Sequence, residues 1–126
     1  MRYLLAGFLL AHGFAHLVGL AGSWRLGTGV PHKTTLLGGR LDLGEGGIRA
    51  FGVVWLFGAV AFATAAAALI LVQPLWTTLV LAAAAFSLVI SVLALPDARV
   101  GVGINVVLLA FAWLASRLHW LGGGLS

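Results

Sequence analysis

Two histidines in the segment LLAHGFAHLVGL have the greatest capacity for chemistry in this sequence. His12 and His16 are four residues apart, so a helix places them one turn apart on the same face. Imidazole can ligate a metal or haem, form hydrogen bonds, and titrate near neutral pH. The sequence contains no cysteine and no HExxH motif. Thiolate chemistry, disulfides and a zinc hydrolase of the HExxH type are therefore excluded.

Three interpretations of this histidine pair are open. In the first, neutral imidazoles form hydrogen bonds with serine, asparagine or backbone groups and hold helices together. In the second, His12 and His16 bind a metal ion together or a cofactor, with haem ligated by one imidazole. In the third, they form a site for a proton, a quinone or a lipid head group together with the charges Arg49 and Asp97. Alternatively, Arg49 only fixes topology, and Asp97 caps the helix that follows it.

The composition indicates that these histidines lie in an integral membrane protein. Of the 126 residues, 62% are hydrophobic and 8% are charged, whereas soluble domains carry about 25% charged residues. The net charge is +4, but the basic residues lie at the ends of apolar runs and form no continuous basic block. Nucleic acid is therefore not a predicted partner.

Four apolar runs are each long enough to cross the hydrocarbon core as a helix, which takes about 20 residues. We predict an all-α fold, a single transmembrane domain over residues 1–126 that forms a four-helix bundle. The predicted spans are about 3–21, 48–72, 74–95 and 100–118, with a long loop over 22–47. A cleaved signal peptide is not favoured for the first span, because it contains two histidines and three further spans follow.

The long loop and the distribution of basic residues bear on topology. The loop either forms a turn of helix on the membrane surface after Thr34 or is a flexible connector. The positive-inside rule predicts that this loop is cytoplasmic and that both termini are outside. The loop side of the bundle carries Arg25, Lys33, Arg40, Arg49 and Arg99, and the other side carries Arg2 and Arg117.

Polar residues at matching depth in other spans are the expected partners of the histidines, because buried polar groups in membranes face the bundle interior. Ser87 is expected near the depth of His12, and Ser91 near that of His16. Asn105, about a turn and a half into the fourth span, is expected near the depth of His16. We therefore predict one polar layer built from three helices.

Three segments resemble a family of small four-span bacterial membrane proteins. They are MRYLLAGFLLAHGFAHLVGL, TTLLGGRLDLGEGGIRAFGVVWL and SLVISVLALPDARVGVGINVVLLA, with an HGxxHL start and a DAxxGxxxN motif before the fourth span. The resemblance covers nearly the whole chain, and Asp97, Gly101 and Asn105 are its most specific part. It implies the four-span fold and a bacterial cytoplasmic membrane location, and it draws attention to the two histidines. It implies no activity.

The sequence predicts neither a catalytic residue nor a metal site. There is no Gly-x-Ser-Gly nucleophile motif, and the first span lacks a carboxylate beside its histidines. We expect a non-enzymatic accessory or structural subunit whose partners are the lipid bilayer and other membrane subunits or a second copy. One alternative is a haem- or quinone-associated subunit of a membrane redox complex. Another is a binder of a lipid or a small apolar ligand.

Overall fold

Four long helices dominate the computed structural model, which describes residues 2–27 and 29–118. Their bounds are α1 Arg2–Ser23, α2 Gly44–Ile70, α3 Trp76–Leu93 and α4 Arg99–Arg117. Each helix is long and apolar enough to cross a membrane. The predicted all-α fold with four potential membrane spans is confirmed.

The second and third helices begin at other residues than the hydropathy pattern predicts. α2 begins at Gly44, four residues before the expected start, because Asp42 Oδ1 accepts a hydrogen bond from the Gly44 N–H at 2.9 Å and closes the turn before the helix. α3 begins at Trp76. Pro74 therefore lies in the turn between α2 and α3 and not in the first turn of α3.

The helices pack in chain order, α1 along α2, α2 against α3 and α3 against α4. Glycine permits a close approach of α1 and α2. A Cβ at Gly13 would lie 2.9 Å from Cβ of Phe62 and 3.2 Å from the carbonyl oxygen of Ala59. α1 has only sparse backbone contact with α3 and α4 in the described part of the chain. Space therefore remains between α1 and the α3–α4 pair.

Two apolar clusters form the core. The larger one joins the N-terminal halves of α1 and α3 to the C-terminal halves of α2 and α4. Its largest buried members are Leu9, Phe62, Leu69, Trp76, Val80 and Leu108. The smaller one, made by Leu36, Ile48, Phe51 and Ile90, lies at the other end of the bundle. The predicted polar residues fall between the two clusters.

The long loop is folded rather than a plain connector, and the turn of helix that follows Thr34 is a 3-10 turn. Strands β1, Thr35–Leu36, and β2, Leu41–Asp42, pair antiparallel. A short 3-10 turn over Leu37–Gly39 joins them, with Gly38 and Gly39 at positive φ of 66° and 90°, which glycine adopts without strain. We call this unit the hairpin, and the end of the bundle that it covers the loop face.

Contacts within the described residues attach the hairpin and the segment before it to the turn between α3 and α4. The N–H of Gly38 donates to the carbonyl of Leu95 at 2.9 Å. The ammonium group of Lys33 lies 2.9 Å from a carboxylate oxygen of Asp97. Residues far apart in the chain thus close the loop face of the bundle.

Candidate functional site

Five of the six buried polar side chains in the described residues lie together where α1, α3 and α4 meet. We call them the polar cluster: His12, His16, Ser87, Ser91 and Asn105. The sixth, Ser23, lies at the C-terminal end of α1. The structure therefore brings together all five residues that the sequence placed in one layer.

The hydrogen bonds of the cluster connect the three helices. His16 Nε2 lies 2.6 Å from Ser87 Oγ, and His12 Nε2 lies 3.0 Å from Asn105 Oδ1. Asn105 Nδ2 donates to Ser87 Oγ at 2.8 Å and to Ser91 Oγ at 3.5 Å. Within α1, His16 Nδ1 lies 2.8 Å from the carbonyl oxygen of His12. Asn105 is the residue that links α1 to both serines of α3.

The position of each proton in the cluster follows from that last contact. A carbonyl oxygen only accepts, so His16 Nδ1 must carry the proton and donate it to His12 O. In a neutral imidazole the other nitrogen is then an acceptor, so Ser87 donates its hydroxyl proton to His16 Nε2. Ser87 Oγ can only accept from Asn105, which fixes the amide nitrogen of Asn105 towards α3.

The orientation of the Asn105 amide also fixes the tautomer of His12. Because the amide nitrogen of Asn105 faces Ser87, its Oδ1 faces His12 and accepts from it. His12 therefore carries its proton on Nε2, and His16 carries its proton on Nδ1. The two histidines are therefore in opposite tautomers. His12 donates to Asn105, Asn105 to Ser87, Ser87 to His16, and His16 to the carbonyl of His12.

The helix α2 supplies an aromatic wall beside the imidazoles. The ring of Phe62 meets His12 edge-on at a centroid distance of 4.8 Å, and the ring of Trp55 meets His16 at 5.3 Å. Between them, Gly58 leaves room for His16, since a Cβ there would lie 2.7 Å from its Cδ2. These contacts fix the ring planes that the hydrogen bonds require.

The pairing within the cluster differs from the pairing expected from depth. Ser87, expected at the depth of His12, bonds to His16, and Asn105, expected near the depth of His16, bonds to His12. Helical side chains lean towards the N-terminus of their helix. The ring of His16 therefore lies one turn back, over the carbonyl of His12, which brings its Nε2 to Ser87.

The network leaves one ring nitrogen of the two histidines free for cofactor ligation. Three of the four ring nitrogens of His12 and His16 are engaged in hydrogen bonds. A haem iron or a metal ion would have to displace one of these bonds or bind His12 Nδ1. The described residues contain no group of three or more His, Asp or Glu side chains that could hold a metal ion.

The charges Arg49 and Asp97 have separate partners. The guanidinium of Arg49 lies over the ring of Trp24 at 5.3 Å, and the indole N–H of Trp24 donates to the carbonyl of Arg49 at 2.9 Å. Asp97 pairs with Lys33. Asp97 does not cap α4, because the N-cap residue is Ala98 and no side chain bonds to that helix end. The expected cap is therefore wrong.

A cleft of about 880 Å³ opens beside the polar cluster. It lies between α1 and the turn between α3 and α4, and the hairpin borders it at the loop face. Its apolar lining includes Val18, Val30, Leu36, Trp55 and Ile104. His12 and His16 also line it, and His12 is the lining residue of α1 farthest from the loop face. A volume of this size is typical of small-ligand pockets.

Several residues beside the polar cluster or in the cleft were not anticipated from the sequence as site residues. Trp55, Gly58 and Phe62 are spaced three and four residues apart, which is the spacing of one helix face, and this pattern could have identified the aromatic wall. Lys33 could not have been identified, because its partner is 64 residues away and no periodicity connects a loop lysine with a turn aspartate.

Comparisons of the chain with protein-family models, with curated proteins and with solved structures give no match. The polar cluster and the cleft are therefore the features on which a function can be argued.

A matched pair of serine substitutions tests the polar cluster. Ser87→Ala removes the donor to His16 and the acceptor for Asn105 at a fully buried position. We expect the free energy of unfolding in mixed micelles to fall by about 1–2 kcal/mol. Ser116→Ala is the control, because exposed Ser116 bonds only within α4, and its effect should stay below about 0.5 kcal/mol. Equal effects of the two substitutions would contradict the role given to the cluster.

Proposed function

We propose that this protein is a non-enzymatic membrane protein that binds a lipid or another small apolar ligand in the cleft between α1 and the α3–α4 pair. The observation that carries the proposal is the cleft itself, with its size, its apolar walls and its position among membrane-spanning helices. Interior space between membrane helices is ordinarily filled by packed side chains. A cleft of 880 Å³ that persists beside a tightly bonded cluster favours an occupant.

The construction of the cleft supports a binding role rather than catalysis. Its walls belong to helices that the polar cluster holds in place, so the space does not depend on a ligand to keep it open. The charged pair Lys33 and Asp97 borders the cleft at the loop face, and the lining further inside is mainly apolar. An apolar molecule gains about 25 cal/mol for each Å² of its surface removed from water, but nothing comparable on leaving lipid. Selectivity must therefore come from shape and from polar contacts.

The role of accessory subunit remains compatible with this binding function, since a small bundle can carry a lipid for a larger assembly. The exposed apolar faces of all four helices would then meet lipid or partner helices. A redox subunit with haem receives less support, because His12 Nδ1 is the one ring nitrogen of the two histidines that is not engaged in a hydrogen bond, and a haem usually needs a second axial ligand. No catalytic residue is proposed.

The proposed orientation follows the distribution of basic residues. The loop face carries Arg25, Lys33, Arg40, Arg49 and Arg99, and the opposite end carries Arg2 and Arg117. Two of these cations are offset by acids at the loop face, Arg25 by Glu45 and Lys33 by Asp97. The positive-inside rule counts the basic residues and gives acids little weight. We therefore place the loop face in the cytoplasm of a bacterial cell and the termini outside.

A pair of tryptophan substitutions on α1 tests the binding proposal. Ala15 lines the cleft, whereas Ala11, one turn away, is exposed and does not line it. We expect native mass spectrometry of the wild-type protein released from lipid nanodiscs to show one retained lipid or apolar molecule. Ala15→Trp should lose this molecule because the indole fills the cleft, and Ala11→Trp should retain it.

Two results of this measurement would contradict the proposal. One is a wild-type protein that retains no lipid or apolar molecule under conditions that preserve its fold. The other is a wild-type dimer that Ala15→Trp converts to a monomer, because a second copy would then occupy the cleft.

Single cysteines introduced into this cysteine-free chain test the proposed orientation. Gly46 is exposed in the first turn of α2 with open space around its Cα, and Gln73 is exposed in the turn between α2 and α3 at the opposite end. In intact cells an impermeant maleimide should label Gln73→Cys and leave Gly46→Cys unlabelled until the membrane is opened. The reverse labelling pattern would invert the orientation.

A further inference from the structure

The tautomer of His12 leaves one hydrogen-bond acceptor without a donor. His12 carries its proton on Nε2, where it donates to Asn105, so Nδ1 holds a lone pair. None of the described residues donates a hydrogen bond to this nitrogen. Its neighbour on α1 cannot serve, because His16 uses its own proton on the carbonyl of His12.

This acceptor is accessible, although His12 as a whole is only 8% exposed. Every fully buried side-chain nitrogen and oxygen of the described residues has a hydrogen-bond partner. Because His12 Nδ1 has none among these residues, it is not one of the fully buried atoms. His12 also lines the cleft, which is the space from which a ligand can approach the ring.

We propose that the cleft binds an apolar alcohol, a molecule with one hydrocarbon chain whose hydroxyl group donates a hydrogen bond to His12 Nδ1. The inference rests on the proposed function. It narrows the class of ligand from any apolar molecule to one whose buried end carries a hydrogen-bond donor. An ester, an ether or an oxidised quinone carries only hydrogen-bond acceptors. Its oxygen lone pair would face the lone pair of Nδ1 and be repelled by it.

The surroundings of the nitrogen disfavour a charged donor. A protonated amine would bring a charge to the middle of a membrane-spanning helix, where charge is costly, and the described residues hold no carboxylate on α1 to balance it. A hydroxyl group is neutral and small enough to enter beside the rings of Phe8 and Phe62, which flank His12 at centroid distances of 6.3 and 4.8 Å. A single hydroxyl therefore fits both the polarity and the depth of the site.

The bond also complements the existing network. A donor at Nδ1 polarises the imidazole of His12 and strengthens the bond from its Nε2 to Asn105, because linked hydrogen bonds reinforce one another. The ligand hydroxyl would thus add one hydrogen-bond donor to the cluster, and every existing hydrogen bond would keep its donor and its acceptor. An acceptor at the same place would require the proton of His12 to move to Nδ1 and the bond to Asn105 to break.

The test compares two ligands of nearly equal length, hexadecan-1-ol and hexadecyl methyl ether, with the wild-type protein in nanodiscs. Both are supplied at the same mole fraction in the bilayer, and occupancy is measured by native mass spectrometry. We expect the alcohol to bind about tenfold more tightly than the ether, which corresponds to one hydrogen bond at a buried acceptor.

A variant of His12 tests whether the preference for the alcohol depends on Nδ1. In His12→Gln the side-chain amide can still donate to Asn105 in place of Nε2, but it has no acceptor at the position of Nδ1. We expect the preference for the alcohol over the ether to fall to about one, while the free energy of unfolding stays close to that of the wild type. The comparison of the two ligands on the wild-type protein does not depend on this variant.

The outcomes separate this inference from the proposed function. Equal binding of the alcohol and the ether to the wild-type protein would overturn the inference and leave the cleft as a binding site for apolar molecules. Binding of neither ligand would contradict both. Tighter binding of the ether would also overturn the inference, because it would show that Nδ1 presents a proton.

Discussion

One hydrogen bond inside α1 determines the chemistry of the whole interior. The carbonyl of His12 can only accept, so His16 must donate from Nδ1 at 2.8 Å. That requirement makes the hydroxyl of Ser87 a donor to His16, and it then fixes the orientation of the Asn105 amide and the tautomer of His12. Each group can only donate or only accept once the role of its neighbour is known. A spacing of four residues makes this bond possible, since it brings the ring of His16 over the carbonyl one turn earlier.

The polar cluster acts as a bonded layer between two apolar clusters, and it explains how a bundle with sparse contact between α1 and the α3–α4 pair holds together. Glycines bring α1 close to α2 on one side. On the other side Asn105 and Ser87 bind the histidines across a gap that side chains do not fill. Hydrogen bonds keep this separation fixed, and the cleft is the space that results. The hairpin, attached through Lys33 and Gly38, borders it at the loop face.

The sequence was sufficient for the four apolar helices, because span length and hydropathy depend only on local composition. It also placed His12, His16 and Asn105 in one layer, since helical rise converts residue number into depth. The sequence did not predict which hydrogen-bond partner each histidine has, because the side chain of His16 points towards the N-terminus of α1 and its ring lies about one turn back. Nor could it give the hairpin or the ion pair between Lys33 and Asp97, which depend on contacts between distant segments.

The tautomers of the two buried histidines test the central claim most directly. Nitrogen-15 spectroscopy of histidine-labelled protein in lipid bilayers distinguishes a protonated ring nitrogen from an unprotonated one, and single substitutions of each of the four histidines assign the signals. We predict opposite neutral tautomers, with the proton of His12 on Nε2 and that of His16 on Nδ1. A proton on Nε2 of His16, or the same tautomer in both rings, would contradict it.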